Sequence, residues 1–309
     1  MDIITAMHRH GGVATHGQLK AAAGRPALDQ ALRAGVVRRV ARGRYILPDV
    51  VDGARVEAHR LSAVAGLRSA AASYGWSLKT PPDRPELVVP RGRKVGAGDQ
   101  STARIRWQRL DPSEVDVWRT SPVRTVTDCA TTLPFDEALA VADSALRSRL
   151  VTQTDLLRAA EELPGRGRDA ALEVAWFARE QPANAFESVV RAVSLDVPGL
   201  RLVPQVRLRV GGRRIRPDLV DRELRLVVEG DSHEFHTSER AIDADCWRYD
   251  ELVLDDWLVI RVSWVQAMFQ QAWVASVLHR AATRQDLRLG GDLLRRRGPL
   301  RRPTTVGRD

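Results

Sequence analysis

A multidomain α/β protein is the fold class this sequence predicts, and three observations carry the prediction. Residues 1–48 read as three short helical segments closed by a hairpin in which apolar residues alternate with arginine. Residues 206–262 hold four short apolar runs, rich in valine, leucine and isoleucine and bounded by charge, with helical patterns among and around them. The chain is also long enough: 309 residues at 44% hydrophobic can bury two or three separate cores.

In the first segment, residues 1–48, Ile3, Ile4 and Met7 make one amphipathic turn pattern that Gly11 and Gly12 end. Residues 15–19 open a second helix, and residues 27–32 make a third that Gly35 closes. Residues 36–47 then alternate apolar and basic residues around Gly43, the pattern of a hairpin with a basic turn. Three short helices followed by such a hairpin is the winged-helix form of helix-turn-helix. The recognition helix would be residues 26–34, with Arg25 and Arg33 as phosphate or base contacts. Arg38, Arg39, Arg42 and Arg44 would decorate the wing. A module of this outline used only for protein contacts is the competing reading.

The middle region, residues 49–182, predicts a connecting α/β domain. A small-residue helix is expected over 58–72, with strands over 86–89, 103–107 and 115–118 and a Gly/Arg-rich loop at 91–98. Pro122 suits a helix start, and further helices fit 135–147 and 154–162, with a turn at 164–168. Asp128 and Asp143 fit internal polar contacts, and no chemistry attaches to this region.

In the third segment, residues 183–284, Asn184 followed by Glu187 is a capping box that opens a helix over 185–195. Strands are expected over 206–210, 214–220, 224–230 and 257–262, and helices over 237–254 and 265–282. The order α-β-β-β-α-β-α is a small α/β core. Residues 215–236 put Asp218, Glu229 and Asp231 at the edges of apolar runs, with His233 and His236 close behind. A desolvated carboxylate needs a positive partner. Two carboxylates a strand apart, with a third two residues on, can converge on one divalent cation. Strands with solvated, charged ends are the plainer reading. Residues 285–309 read as a basic, disordered tail, either a solvated end or a non-specific phosphate contact.

Composition sets the outer bounds. No run approaches the ~20 apolar residues of a membrane span, and the N-terminus has no apolar signal region. Cys129 and Cys246 are far apart and match no metal spacing, which fits free thiols in the cytoplasm. The formal charge of +9 is compatible with a polyanionic partner. Only Lys20, Lys79 and Lys94 are lysines, however, and so lopsided a preference for arginine points to coding bias as much as to function.

The first fifty residues resemble the N-terminal domain of AbiEi-type antitoxins of bacterial abortive-infection systems. The matching features are GGVATHGQL at 11–19 and ALRAGVVRRVARGRYIL at 31–47. The resemblance implies DNA binding, autoregulation, and a toxin encoded by a neighbouring gene as partner. Residues 183–284 resemble the PD-(D/E)xK nuclease superfamily, and within it proteins related to very-short-patch-repair (Vsr) endonucleases. The residues that carry this are Pro217 and Asp218, the Glu229, Gly230 and Asp231 triplet, Glu234, Phe235 and His236, the helix segment 245–250, and the strand 257–262.

That second resemblance implies a restriction-endonuclease-like core that hydrolyses DNA phosphodiesters with Mg²⁺ or Mn²⁺. Asp218 and Glu229 would be the main metal ligands. Glu187 would complete the site directly or through water, or else serve only as a cap. Asp231 stands where the superfamily usually has a lysine, and no lysine follows Lys94. His233 and His236 are the candidates to assist the attacking water. Arg248 could clamp a phosphate or pair with Asp245 and Asp250. Two functions stay open: a DNA endonuclease with catalytic residues among Asp218, Glu229, Asp231, His233 and His236, or an antitoxin-type transcriptional regulator whose nuclease-like domain no longer cuts. An interaction protein with no nucleic-acid role explains neither the wing nor the carboxylates.

Overall fold

A computed structural model of the chain describes residues 1–231 and 239–300. They form a mixed α/β protein with several small sheets, divided into two compact units: residues 1–75 with 81–128, and residues 76–80 with the described residues from 129 onward. The middle region expected over 49–182 is shared between these units.

In the first unit, Asp2 caps α1 (Ile3–Arg9) by accepting from the Thr5 N–H. After β1 (Val13–Thr15), Thr15 and Gln18 open α2 (His16–Arg33), each side chain accepting from the other's backbone N–H. Gly24, at φ 80 and ψ 163, leaves helical geometry, so α2 is two helices meeting just before Pro26. β2 (Arg38–Ala41) and β3 (Arg44–Ile46) follow, and the antiparallel sheet runs β1-β3-β2. Met7, Leu19, Leu28, Val37 and Leu47 fill the core beneath it.

The same unit continues through α3 (Gly53–Leu61), β4 (Val64–Ala65), α4 (Leu67–Ser73), β5 (Glu86–Val89), α5 (Ala97–Thr102) and β6 (Arg104–Trp107). It closes with β7 (Val115–Asp116), β8 (Arg119–Thr120) and α6 (Pro122–Ala130), around a sheet of order β6-β5-β4-β8-β7. Two expectations are corrected here. The helix expected over 58–72 is broken, because Ser62 caps α3 at φ 50 and Val64 and Ala65 pair with Val88 and Leu87. Sheet pairing outweighs alanine's preference for helix. The strand expected over 115–118 is a hairpin that turns at Val117, φ 57. Arg124 pairs with Glu114 at 2.6 Å and Asp128 at 2.9 Å, which gives Asp128 the internal contact expected of it.

The second unit begins with α7 (Phe135–Arg147), α8 (Gln153–Glu161), α9 (Arg166–Phe177) and α10 (Ala185–Ser194). A buried pair ties α7 to α10: Arg191 Nη2 donates to both carboxylate oxygens of Asp143 at 2.8 Å. Next come β9 (Val203–Pro204), β10 (Leu208–Val210), β11 (Arg213–Ile215), β12 (Leu219–Asp221) and β13 (Leu226–Asp231). Then follow α11 (Glu239–Leu254), β14 (Leu258–Ser263), α12 (Trp264–Phe269), α13 (Gln271–Arg288) and α14 (Leu293–Arg297). The main sheet runs β14-β13-β12-β9, with β13 and β14 parallel and the other pairs antiparallel; β10 and β11 form a separate hairpin.

Both faces of this sheet are covered. Val189, Val193, Leu219, Leu226, Val228, Val274 and Leu278 share one core, and Leu208, Val210, Val220, Val227 and Leu252 share the other. Three further corrections belong to this unit. The strand expected over 214–220 is two strands with a bend at 216–218. The helix expected over 265–282 breaks at Gln270, φ −125 and ψ 40. Part of the expected tail is ordered: α13 reaches Arg288, and Arg297 on α14 meets buried Asp221 at 2.6 Å. No described helix is long and apolar enough to cross a membrane.

Candidate functional site

Asp218 directly precedes β12 and Glu229 lies in β13, and the register Leu219↔Val228 sets the two residues side by side. Their backbones lock them there. The Gly230 N–H donates to Asp218 Oδ2 at 2.8 Å, and the Asp218 N–H reaches Glu229 Oε2 at 3.4 Å. Strand alternation turns Glu229 to the same face as Val227, while Val228 and Gly230 face α10.

Glu187 arrives from the first turn of α10. Its N–H donates to Asn184 Oδ1 at 3.0 Å, and its Oε2 accepts from the Ala183 N–H at 3.0 Å and from Gln205 Nε2 at 2.9 Å. Gln205 also donates its backbone N–H to the Asp218 carbonyl at 2.9 Å, so one residue holds both acids. Gln205 was not among the residues the sequence singled out, and nothing in its neighbourhood there distinguishes it.

Burial dominates the electrostatics. Glu187 is 1% exposed and Glu229 4%. Desolvation pushes both carboxyls up to about 7, and the charge of Asp218 pushes each the same way. Burial raises the Asp218 carboxyl too, against the pull of the Gly230 N–H and of Arg248. Arg248, on α11, brings Nε to 3.6 Å from Glu229 Oε1 and Nη2 to 2.9 Å from Asp245. Neither Glu229 Oε1 nor Arg248 Nε has a hydrogen-bond partner among the described residues.

Asp231 is engaged elsewhere. It pairs with Arg261 of β14, whose guanidinium lies 4.8 Å from the Tyr249 ring centroid. His233 and His236 lie outside the described residues. Among the described residues no group of three or more His, Cys, Asp or Glu is arranged to hold a metal ion. The expected set of Glu187, Asp218 and Glu229 therefore reduces to the Asp218–Glu229 pair, with Glu187 bonded to its cap and to Gln205. That pair, with one orphaned carboxylate oxygen, fits Mg²⁺ or Mn²⁺ in the mode that uses one or two carboxylates plus water and phosphate oxygens.

In the N-terminal unit, Arg25 and Arg33 on the second half of α2 are exposed, as are Arg38, Arg39 and Arg42 around the hairpin. Arg44 is half-buried and donates to the Ser62 hydroxyl.

No family model matches the chain. Two relatives do, the uncharacterized proteins Rv2248 and MT2308 of Mycobacterium tuberculosis, each 30% identical over 214 residues. The match covers 65% of this chain and 74% of each relative. The chain belongs to the Rv2248 family. Neither family member's name states an activity. A crystal structure of the RV2827C protein of the same organism is also similar, with TM-score 0.34 and 16% identity, over 60% of this chain and 78% of that one.

Proposed function

We propose that this protein is a metal-dependent DNA endonuclease, with a winged helix at its N-terminus and a restriction-endonuclease-like core of the Vsr-like kind at its C-terminus. The observation that carries the reading is the Asp218–Glu229 pair, interlocked across two strands, with Asp218 half-buried, Glu229 buried and its Oε1 without a hydrogen bond among the described residues. A divalent cation held by Asp218 and Glu229 would supply the charge that polarises a phosphodiester and activates a water. The protein's own groups prepare for that chemistry. The Gly230 N–H orients Asp218, and Gln205 fixes Glu187 behind it. Arg248 takes the part of the absent lysine by offering a guanidinium to the phosphate. On the winged helix, Arg25, Arg33, Arg38, Arg39 and Arg42 contact the DNA.

One observation favours a second reading. Arg248 approaches Glu229 as a replacement countercharge would in a site that no longer binds metal, which suits an antitoxin-type regulator. Nicking of supercoiled plasmid separates the two. The wild-type protein should nick with Mg²⁺ or Mn²⁺ and stop with EDTA, and Asp218→Asn or Glu229→Gln should abolish nicking with the circular dichroism unchanged. Equal nicking by the variants would end the nuclease reading; calorimetry showing no cation binding by the wild type would favour the regulator.

A further inference from the structure

The β10–β11 hairpin, the turn between β12 and β13, and the start of β14 line a groove of about 680 Å³. Its walls carry Arg207, Arg209, Arg214, Arg222 and Arg225 against a single acid, Asp255. None of the five arginines forms an ion pair among the described residues. Arg209, Arg222 and Arg225 donate only to the backbone carbonyls of Gly212, Arg207 and Asp255. Arg207 and Arg214 have no side-chain partner among the described residues. Arg288, by contrast, pairs with Asp256, the residue after Asp255. Five like charges gathered around one acid repel one another, and an anion relieves that repulsion.

The place of the groove narrows the ligand. Leu208 and Trp257 belong to the core on the face of the sheet toward which Glu229 turns. Arg225 stands just before β13, four residues from Glu229, which at ~3.3 Å per residue is about 13 Å along a strand. That span matches about four nucleotides at the ~3.4 Å rise of one nucleic-acid strand. A phosphate is only a few times the ~30 Å³ share of a liquid water, so the groove admits several with their hydration. Guanidinium forks suit phosphate oxygens, and Trp257 lines the groove as an aromatic on which a base can stack.

We propose that this groove binds the phosphodiester backbone of a nucleic-acid strand, a few nucleotides from the bond held at Asp218 and Glu229. The substrate's identity rests on the nuclease reading, but the test needs no cleavage. It uses the full chain in EDTA, with Arg25→Gln, Arg33→Gln, Arg38→Gln, Arg39→Gln and Arg42→Gln already present so that the winged helix is silent. Fluorescence anisotropy follows a labelled oligonucleotide across a salt series, with and without Arg207→Gln and Arg214→Gln. Both arginines are exposed, and an unchanged thermal midpoint verifies the fold.

The pair of substitutions should weaken binding about tenfold or more near 0.1 M salt and flatten the log–log salt slope by about two. An unchanged affinity and slope overturns the proposal, as does absence of binding without them. Calorimetry with tripolyphosphate distinguishes a free anion from a strand. If the substitutions abolish tripolyphosphate binding and leave the oligonucleotide untouched, the groove takes a small polyphosphate and the proposal falls. Loss of nicking in Glu229→Gln with oligonucleotide binding preserved leaves the groove standing apart from the cleavage chemistry.

Discussion

Glu187 shows how one buried acid sets a measurable pH dependence. Its carboxyl accepts bonds from the Ala183 N–H and from Gln205, yet burial raises it from 4.5 to about 7. A folded-state pKa above the unfolded value means the native protein binds the proton more tightly, so stability falls as pH rises through that window. The contribution is fully present below about 4.5, is lost as pH passes about 7, and amounts to about 3 kcal/mol at most. Glu187→Gln keeps an acceptor for Gln205 and has no proton to lose. Relative to wild type, the variant should therefore gain about 2–3 kcal/mol more stability near pH 8 than near pH 5. Urea unfolding at the two pH values measures this directly, and comparison with the parent chain cancels the common titrations. A difference that does not vary with pH would show that Glu187 titrates as in water. The sequence offered Glu187 as a cap or as a member of the metal site, but not as a desolvated acid, because spacing cannot reveal desolvation.

Among the elements, the contact between α10 and β13 decides where the acids meet. A Cβ on Gly230 would lie 2.3 Å from Phe186 Cε1 and 2.7 Å from Cδ1, closer than atoms can pack. The strand backbone therefore rests directly on the first turn of α10, one residue before Glu187. Gly230→Ala should cost about 1–3 kcal/mol by overpacking, and Phe186→Leu in the same chain should recover part of it. A double-mutant cycle by chemical denaturation checks the coupling; strictly additive losses would mean the ring and the methyl do not meet. This contact lay beyond the sequence, where the glycine counted only as part of a Glu-Gly-Asp triplet. What could be read locally was local. The Asn184–Glu187 cap, the apolar run of β13 and the hairpin around Gly43 follow from neighbours in the chain. The break after Leu61 and the bend at 216–218 follow from pairing with distant strands, which no window of residues contains.

Across the whole chain, the C-terminal basic stretch is two things that composition had merged. From Leu293 to Arg297 it is a helix that closes on residues far back in the sequence: Leu294 packs on Gly199, and Arg297 reaches Asp221 at 2.6 Å and 3.2 Å. Asp221 is 1% exposed and also accepts from the Arg201 and Leu224 N–H groups. Its charge is tolerable inside because a guanidinium answers it. Beyond Leu300 come Arg301, Arg302 and Arg308, whose charge suits a polyanion. Two truncations separate these roles. A chain ending at Gly291 should lose about 3 kcal/mol, since removing one partner leaves a buried carboxylate without its countercharge. At roughly 2–4 °C per kcal/mol for a unit of this size, the calorimetric midpoint should fall by roughly 6–12 °C. A chain ending at Leu300 should unfold within about 0.5 kcal/mol of the full protein and bind DNA with a shallower salt dependence. Arg297→Gln alone should reproduce most of the first loss. If the Gly291 truncation melts with the full chain, the Arg297–Asp221 pair is not what anchors this end of the molecule.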